Sequence, residues 1–251
     1  DSDTAVPRAL AAAAPQEIVV TAQKVAQEQL GDLKLYRIPE PTDFASRESK
    51  QVRLLDRHSI PVRLIYAMDL DLADLHARIE AGSAPARALL RTENTAANHL
   101  GLPLPSGRVA VFASGGRAPI LRFESGLRDL AEGQQVEIEM GESPDVRVAA
   151  SIEKTDMASG TARSLPLVPG VSIRSVGVER TARVDITNAR NREARFELEL
   201  RLGEGETVVR ADRPLGRKNG RPIFTLRVPA ESTATVRFQT QGTVDTLQRP
   251  R

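Results

Sequence analysis

The sequence predicts an all-β protein that is built from antiparallel β-sandwiches and contains at most one short helix. Runs that alternate apolar and polar residues recur at roughly 8–12-residue spacing, which is typical of a sandwich. Turns rich in Gly and Pro separate these runs. Helical spacing of apolar residues is confined to Asp69–Ala81, where Leu72, Leu75 and Ile79 share one face and Gly82 follows as a candidate C-cap. Alternation at Leu70 and Leu72 leaves a strand end as the alternative there.

The clearest strand is residues 194–202. Phe196, Leu198, Leu200 and Leu202 are predicted to face the core, and the charged residues between them are predicted to face water. The other predicted strands are 31–39, 51–56, 62–67, 86–91, 108–113, 119–124, 135–140, 146–153, 171–178, 180–188, 206–210, 223–229 and 233–238.

Composition restricts the function classes. The chain has 35 basic and 33 acidic residues and a net charge of +2, so we expect no nucleic-acid partner. It has no cysteine, which excludes disulfides, thiolate metal sites and a Cys nucleophile. No apolar run approaches the roughly 18 residues that a membrane helix needs, so no transmembrane segment is predicted.

Four segments follow from these patterns. Residues 1–30 are predicted to be a flexible linker that carries one short strand-like run. Residues 31–178 form a β-rich domain, and residues 179–240 form a closing β module that packs on it or continues it. Residues 241–251 are predicted to be a tail.

The strand-like run in the linker, Glu17–Lys24, reads EIVVTAQK. It resembles the TonB box near the N-terminus of outer-membrane TonB-dependent receptors, a short extended segment that pairs with an edge strand of TonB. The resemblance implies that TonB or an outer-membrane receptor is the partner. The candidate partner-binding residues are then Ile18, Val19, Val20 and Thr21. The alternative is a first edge strand or a linker.

The densest group of turn-forming residues lies at residues 91–109, between two predicted strands. Asn tolerates a left-handed backbone, Gly supplies positive φ, and Pro holds an extended segment that pairs poorly. We interpret the group as a rigid passage between strands, with a ligand-binding loop as the alternative. Its members are Asn94, Asn98, Gly101, Pro103, Pro105 and Gly107.

The same stretch, ENTAANHLGLPLPSGRV at residues 93–109, resembles the signature of a bacterial domain of unknown function. That domain forms the C-terminal part of mucoidy inhibitor A family proteins. Residues 33–39 and 50–52 resemble its entry in alphaproteobacterial members, and residues 183–238 resemble its closing Ig-like module. The resemblance covers about residues 31–240. It implies an Ig-like C-terminal module and a location in the periplasm or at the cell surface, associated with the outer membrane. It implies no catalytic residue.

The chain also departs from this family. Members commonly carry an upstream companion domain, often with a coiled coil, so this chain resembles a C-terminal portion or a trimmed member. Many members also have a second acidic or aromatic motif after the central stretch, and residues 144–146 resemble a remnant of it.

No constellation of catalytic residues stands out. The three histidines, His58, His76 and His99, do not share a metal-type spacing. The chain has no nucleophile elbow, and the Gly-Gly turn at residues 114–117 precedes a strand and not the helix that a phosphate loop needs. We therefore assign no catalytic, cofactor-binding or metal residues and expect no enzymatic activity.

Three functions stay open. The first is a non-enzymatic β-sandwich protein of the bacterial cell envelope that acts in protein–protein interaction or envelope structure through its edge strands, with an envelope protein or a second copy as partner. The second is an accessory subunit of a TonB-dependent uptake system that docks through residues 17–24. The third is a carbohydrate-binding or hydrolase module, which predicts convergent acid and base groups near His99.

Overall fold

The computed structural model describes residues 27–30, 33–36, 55–77, 82–115, 118–157, 163–168 and 171–248. The chain divides into two compact units, residues 1–60 and 61–251. In the first unit, β1 (Gln27–Leu30) pairs antiparallel with β2 (Leu33–Tyr36). Strand β2 lies within a predicted strand. Strand β1 forms the last four residues of the segment that the sequence assigns to a linker.

The second unit is formed almost entirely by strands. In chain order they are β3 (Arg63–Asp71), β4 (Ala84–Glu93), β5 (Gly107–Ala113), β6 (Ile120–Leu127), β7 (Gln135–Met157), β8 (Arg163–Val168), β9 (Val171–Asn188), β10 (Ala194–Arg201), β11 (Thr207–Ala211), β12 (Gly216–Lys218), β13 (Arg221–Val228) and β14 (Ser232–Gln248). The all-β class is confirmed.

Helical structure in the described residues is limited to α1 (Leu72–Ala77) and one 3-10 turn (Ala96–Asn98). Helix α1 lies inside the predicted helical stretch and has only six residues. A carboxylate oxygen of Asp71 accepts a hydrogen bond from the Ala73 amide at 2.9 Å and so caps its first turn. Neither helical segment in this part of the chain has the length and apolar character needed to cross a membrane.

Ten strands form one mixed sheet, in the order β11-β14-β9-β7-β4-β3-β10-β13-β12 with β8 paired to β9. Its described pairs are antiparallel except one: β10 runs parallel to β3, with Phe196 opposite Tyr66. The prediction of purely antiparallel pairing is wrong at this place. Alternation assigns side chains to faces but leaves strand direction open, and the long chain between β3 and β10 supplies the crossover that a parallel pair needs.

The core lies on one face of this sheet. Phe196, Leu198 and Leu200 of β10 are fully buried, as predicted. Leu202 lies beyond the end of β10 and packs, partly buried, against the core. The sheet also curls on itself, since the rings of Phe224 on β13 and Phe238 on β14 lie 5.7 Å apart although their strands are distant in the order. Removal of this apolar surface from water is the main stabilising contribution.

The described strands cross two of the predicted boundaries. Strand β9 runs through residues 178 and 179, where the sequence predicts a change of module. Strand β14 continues to Gln248, which lies opposite Ser172, so the described part of the predicted tail 241–251 is paired strand. The predicted strands 135–140 and 146–153 are joined in β7, which continues through residues 141–145, and two register shifts opposite β4 accommodate the extra residues.

Candidate functional site

The central motif forms the base of the β5–β6 hairpin. Asn94 directly follows β4, and its side chain is fully buried. Its Nδ2 donates to the carbonyls of Leu102 at 2.6 Å and Ala131 at 2.9 Å, and its Oδ1 accepts from the amides of Gly101 at 3.1 Å and Leu102 at 3.4 Å. Residue 102 lies on the chain that enters the hairpin and residue 131 on the chain that leaves it. One asparagine therefore holds both limbs.

Main-chain bonds complete this base. Leu104 and Leu130 form an isolated antiparallel bridge, with N···O distances of 2.8 and 2.9 Å. Pro103 and Pro105 flank Leu104, and because proline has no N–H they limit further pairing here. The predicted role of Gly107 is wrong, since it is the first residue of β5 and is not among the residues with positive φ.

The turn before the hairpin has one crowded glycine. Gly101 has φ +76°, and a Cβ there would lie 2.6 Å from the Ala96 amide nitrogen. The residue of this turn with a left-handed backbone is His99, with φ 61°, which follows Asn98. Asn98 lies in the 3-10 turn, and its Nδ2 donates to the Glu93 carbonyl at 3.1 Å. These residues shape the turn, and the rigidity of this passage stays a prediction.

We expect Gly101→Ala to lower the free energy of unfolding by about 2 kcal/mol, because the new Cβ adds an overlap to the left-handed backbone. Gly133→Ala is the matched control, since Gly133 has φ +81° but open space around its Cβ position. The control should lose about 1 kcal/mol. Urea unfolding of both variants measures the difference in their free energies of unfolding. Equal losses of free energy in the two variants would mean that the contact of the new Cβ with Ala96 has no effect.

Beyond its base, the hairpin is a two-stranded sheet of its own. Phe112 on β5 lies directly opposite Leu121 on β6, and these side chains are 56% and 49% exposed. The preceding residue on β6, Ile120, is 54% exposed, and because side chains alternate along a strand it points to the opposite face of the hairpin. Phe112 and Leu121 together form an exposed apolar pair on one face. We call Phe112 and Leu121 the hairpin patch.

The polar face of the large sheet carries an ion network of four residues. Both terminal nitrogens of Arg91 donate to the two carboxylate oxygens of Glu197, and Nη2 lies 2.6 Å from Glu137. The ammonium of Lys218 lies 2.9 Å from Glu137 and 3.2 Å from Glu197. The Arg91 and Glu197 side chains are only 10% and 13% exposed. The two cations and two anions of this network thus balance in charge.

Burial and pairing act in opposite directions on these groups. Burial alone would raise the pKa of Glu197, but the hydrogen bonds and charges of Arg91 and Lys218 outweigh it and hold that pKa below its ordinary value. Burial alone would lower the pKa of Arg91, and the two glutamates raise it instead. A general acid or base has a pKa near the working pH. These shifts move both groups away from that range, so the network stabilises structure.

The other candidate residues do not converge. Ile18, Val19, Val20 and Thr21 lie outside the described residues, so the TonB-box hypothesis stays a prediction. In the first unit, His58 Nε2 lies 3.4 Å from a carboxylate oxygen of Asp56. In the second unit, His99 is exposed at the motif turn. Within the described ranges, no three His, Asp or Glu residues lie close enough to hold a metal ion.

The hairpin patch and the ion network are the two features that the sequence did not indicate. Alternation assigns the side chains of a hairpin strand to two faces. It does not show which of these faces stays exposed to solvent. Arg91 and Glu197 are 106 residues apart, and only the β3–β10 pair brings their strands together. Charged residues at alternate positions of β10 were a signal for a polar face, though not for its partners.

No family model, curated protein or solved structure matches the chain. The resemblance to the mucoidy inhibitor A family therefore stays a prediction.

Proposed function

We propose that this chain is a non-enzymatic β-sandwich protein of the bacterial cell envelope that binds a partner protein through the β5–β6 hairpin. The observation that carries the proposal is the hairpin patch, in which Phe112 and Leu121 oppose each other and stay about half exposed. The envelope location rests on the resemblance of residues 31–240 to the mucoidy inhibitor A family.

The hairpin has the properties of a preformed docking element. A two-stranded sheet is marginally stable by itself in water, and it leaves two edges without main-chain partners. Here the base is fixed by Asn94 and by the Leu104–Leu130 bridge, so the strands are ordered before a partner arrives. Order in the free state lowers the entropy lost on binding.

The partner is an extended strand of another envelope protein that adds to one edge of the hairpin. Main-chain hydrogen bonds supply affinity in this mode, and alternate side chains supply specificity. The hairpin strands have seven and eight residues, whereas β11 and β12 at the ends of the large sheet have five and three, and β8, which pairs only with β9, has six. Short edges resist strand addition, so the hairpin is the better docking place.

The curl of the large sheet supports the sandwich part of the proposal. Contact between Phe224 and Phe238 places strands from two halves of the sheet against one core. Strands β9, β10, β13 and β14 supply most of that core and overlap the segment 183–238 that resembles an Ig-like module. Two layers that pack apolar faces together are the usual way for such a sheet to bury them.

A photo-crosslinking residue in place of Phe112, in the full chain within the native bacterium, tests the proposal. We expect an adduct with one other envelope protein, joined at an extended segment of that protein. Val209 on β11, which is 52% exposed, is the matched control position and should not give this adduct. The double variant Phe112→Ser/Leu121→Ser should weaken partner recovery about tenfold or more, as expected for removal of an apolar anchor, and should keep the unfolding midpoint.

Two outcomes would contradict the proposal. Equal adducts from positions 112 and 209 would show that the hairpin is not a specific contact. An adduct formed only with a second copy of this chain would show that the hairpin mediates self-association and does not bind another envelope protein.

A further inference from the structure

Four arginines cross the polar face of the sheet on neighbouring strands. Arg91, Arg63, Arg195 and Arg227 lie on β4, β3, β10 and β13, which are consecutive in the sheet order. Arg63 is directly opposite Arg91, and Arg195 is directly opposite Arg227. Because neighbouring strands lie about 4.8 Å apart, this arginine row spans about 14 Å of backbone.

The arginine row has more positive charge than its surroundings neutralise. Arg91 belongs to the ion network, and Arg227 Nη1 lies 3.9 Å from a carboxylate oxygen of Glu193, with both side chains largely exposed. Arg63 and Arg195 make no ion pair with any residue in the described ranges. Like charges directly opposite on neighbouring strands are destabilising. Two such pairs side by side therefore reduce stability unless an anion lies between them.

A cleft of about 390 Å³ lies along the arginine row. All four arginines line it, against two carboxylates, Glu93 and Glu197, which leaves a surplus of two positive charges. Hydrogen-bonding side chains of Gln135 and Thr225 line it as well. The volume lies at the small end of the range for ligand sites, roughly 300–1,000 Å³.

One buried polar atom on the face of the arginine row has no hydrogen-bond partner among the described residues. It is Nε of Arg91, whose side chain is only 10% exposed. Buried polar groups in folded proteins are nearly always paired, and each one left unpaired is unfavourable. Together with the surplus charge, this atom favours a site that is completed by a ligand.

We propose that the cleft along the arginine row binds a small ligand through a phosphate monoester group. Such a group carries close to two negative charges at neutral pH and three acceptor oxygens, which matches the surplus of two positive charges. Arginine presents planar pairs of N–H donors that suit phosphate oxygens. The phosphate belongs to a soluble metabolite or to a lipid headgroup, and the two sources share this chemistry. This site is separate from the hairpin patch and does not depend on the hairpin's role.

Titration calorimetry with glycerol 3-phosphate, and with glycerol as the uncharged match, tests the proposal on the full chain. We expect saturable binding with a Kd of about 1 mM or tighter for the phosphate and none for glycerol. The double variant Arg63→Gln/Arg195→Gln should weaken binding about tenfold or more. Its unliganded form should unfold at the same or a higher temperature, because the substitution removes like-charge repulsion.

A matched control separates the cleft from general electrostatics. Arg210→Gln/Arg213→Gln removes the same charge at exposed positions outside the cleft and should change the Kd less than about twofold at physiological salt. A second arm uses phosphatidylcholine vesicles with and without phosphatidic acid. Binding to phosphatidic acid alone, lost in the cleft variant, would assign the phosphate to a lipid. Equal losses in both double variants, or no saturable binding in either arm, would overturn the proposal.

Discussion

Replacement of Glu197 by Ala is expected to lower the free energy of unfolding at pH 7 by about 3 kcal/mol. The side chain of Arg91 is nearly buried, and without Glu197 it keeps its charge while losing its two-pronged partner. Removing one member of a buried ion pair costs about 3–5 kcal/mol. The lower end applies here because Glu137 remains 2.6 Å from Arg91. Urea unfolding of the wild type and variant at pH 7 gives the difference.

The pH dependence identifies the charge as the cause. Because the pKa of Glu197 is lower in the folded state than in the unfolded state, its stabilising effect is complete above the unfolded pKa of about 4.3. That effect is lost as the pH falls through the folded-state pKa. The stability gap between wild type and Glu197→Gln should therefore be largest near neutral pH and should close in acid. A gap that stays constant down to pH 3 would show that packing, and not charge, is responsible.

The double variant Arg91→Met/Glu197→Leu extends this result. Replacing both members of a buried pair by apolar residues of similar size is often neutral for stability. We expect the double variant to be more stable than Glu197→Ala by about 2 kcal/mol. The loss of unfolding free energy in the double variant could instead equal the sum of the losses in the two single variants. That result would mean that Lys218 and Glu137 need Arg91 and Glu197 as ion-pair partners.

Asn94→Ala is expected to lower the free energy of unfolding by about 3 kcal/mol. The substitution leaves the carbonyls of Leu102 and Ala131 and the amide of Gly101 without their side-chain partner. Each buried polar group that loses its partner costs about 1–3 kcal/mol, and water that reaches the turn reduces the sum. Because both limbs of the hairpin depend on this side chain, β5 and β6 should lose more order than the core.

Amide hydrogen exchange together with urea unfolding measures both effects. Protection of amides in β5 and β6 should fall in Asn94→Ala, while protection in β10 should follow global stability alone. Asn98→Ala is the matched control, since the Asn98 side chain makes a single bond to the Glu93 carbonyl and should lose less than about 1 kcal/mol. Equal losses of unfolding free energy in the two asparagine variants would show that Asn94 does not specifically stabilise the hairpin.

Local pattern was enough to predict the all-β class, the inward face of β10 and a turn at the motif around Asn94. These features depend on neighbours within a few residues, through side-chain alternation and turn chemistry. Sequence order did not reveal the parallel partner of β10 or the curl that joins Phe224 to Phe238. Both depend on which distant strands pair, and alternation is the same for every choice of partner.

The site features differ in the same way. Asn94 and Gly101 are recognisable because a buried Asn and a left-handed Gly have few alternatives in a turn. Arg91, Arg63 and Arg195 are ordinary charged residues of strands until the register sets them on one face. Their significance comes from position across the sheet, which single-strand patterns do not contain.

The parallel pairing of β10 with β3 has a consequence for synthesis of the chain. One edge of β3 has β4 as its neighbour, and the other edge waits for residues 194–201. While the ribosome is still making the segment between them, the nascent chain exposes an unpaired strand with apolar residues such as Ile65 and Tyr66. Exposed strand edges of partly made chains are sites of misassembly. Completion of β10 therefore covers the open edge of β3, and the other edge of β10 then stays unpaired until β13 has been made.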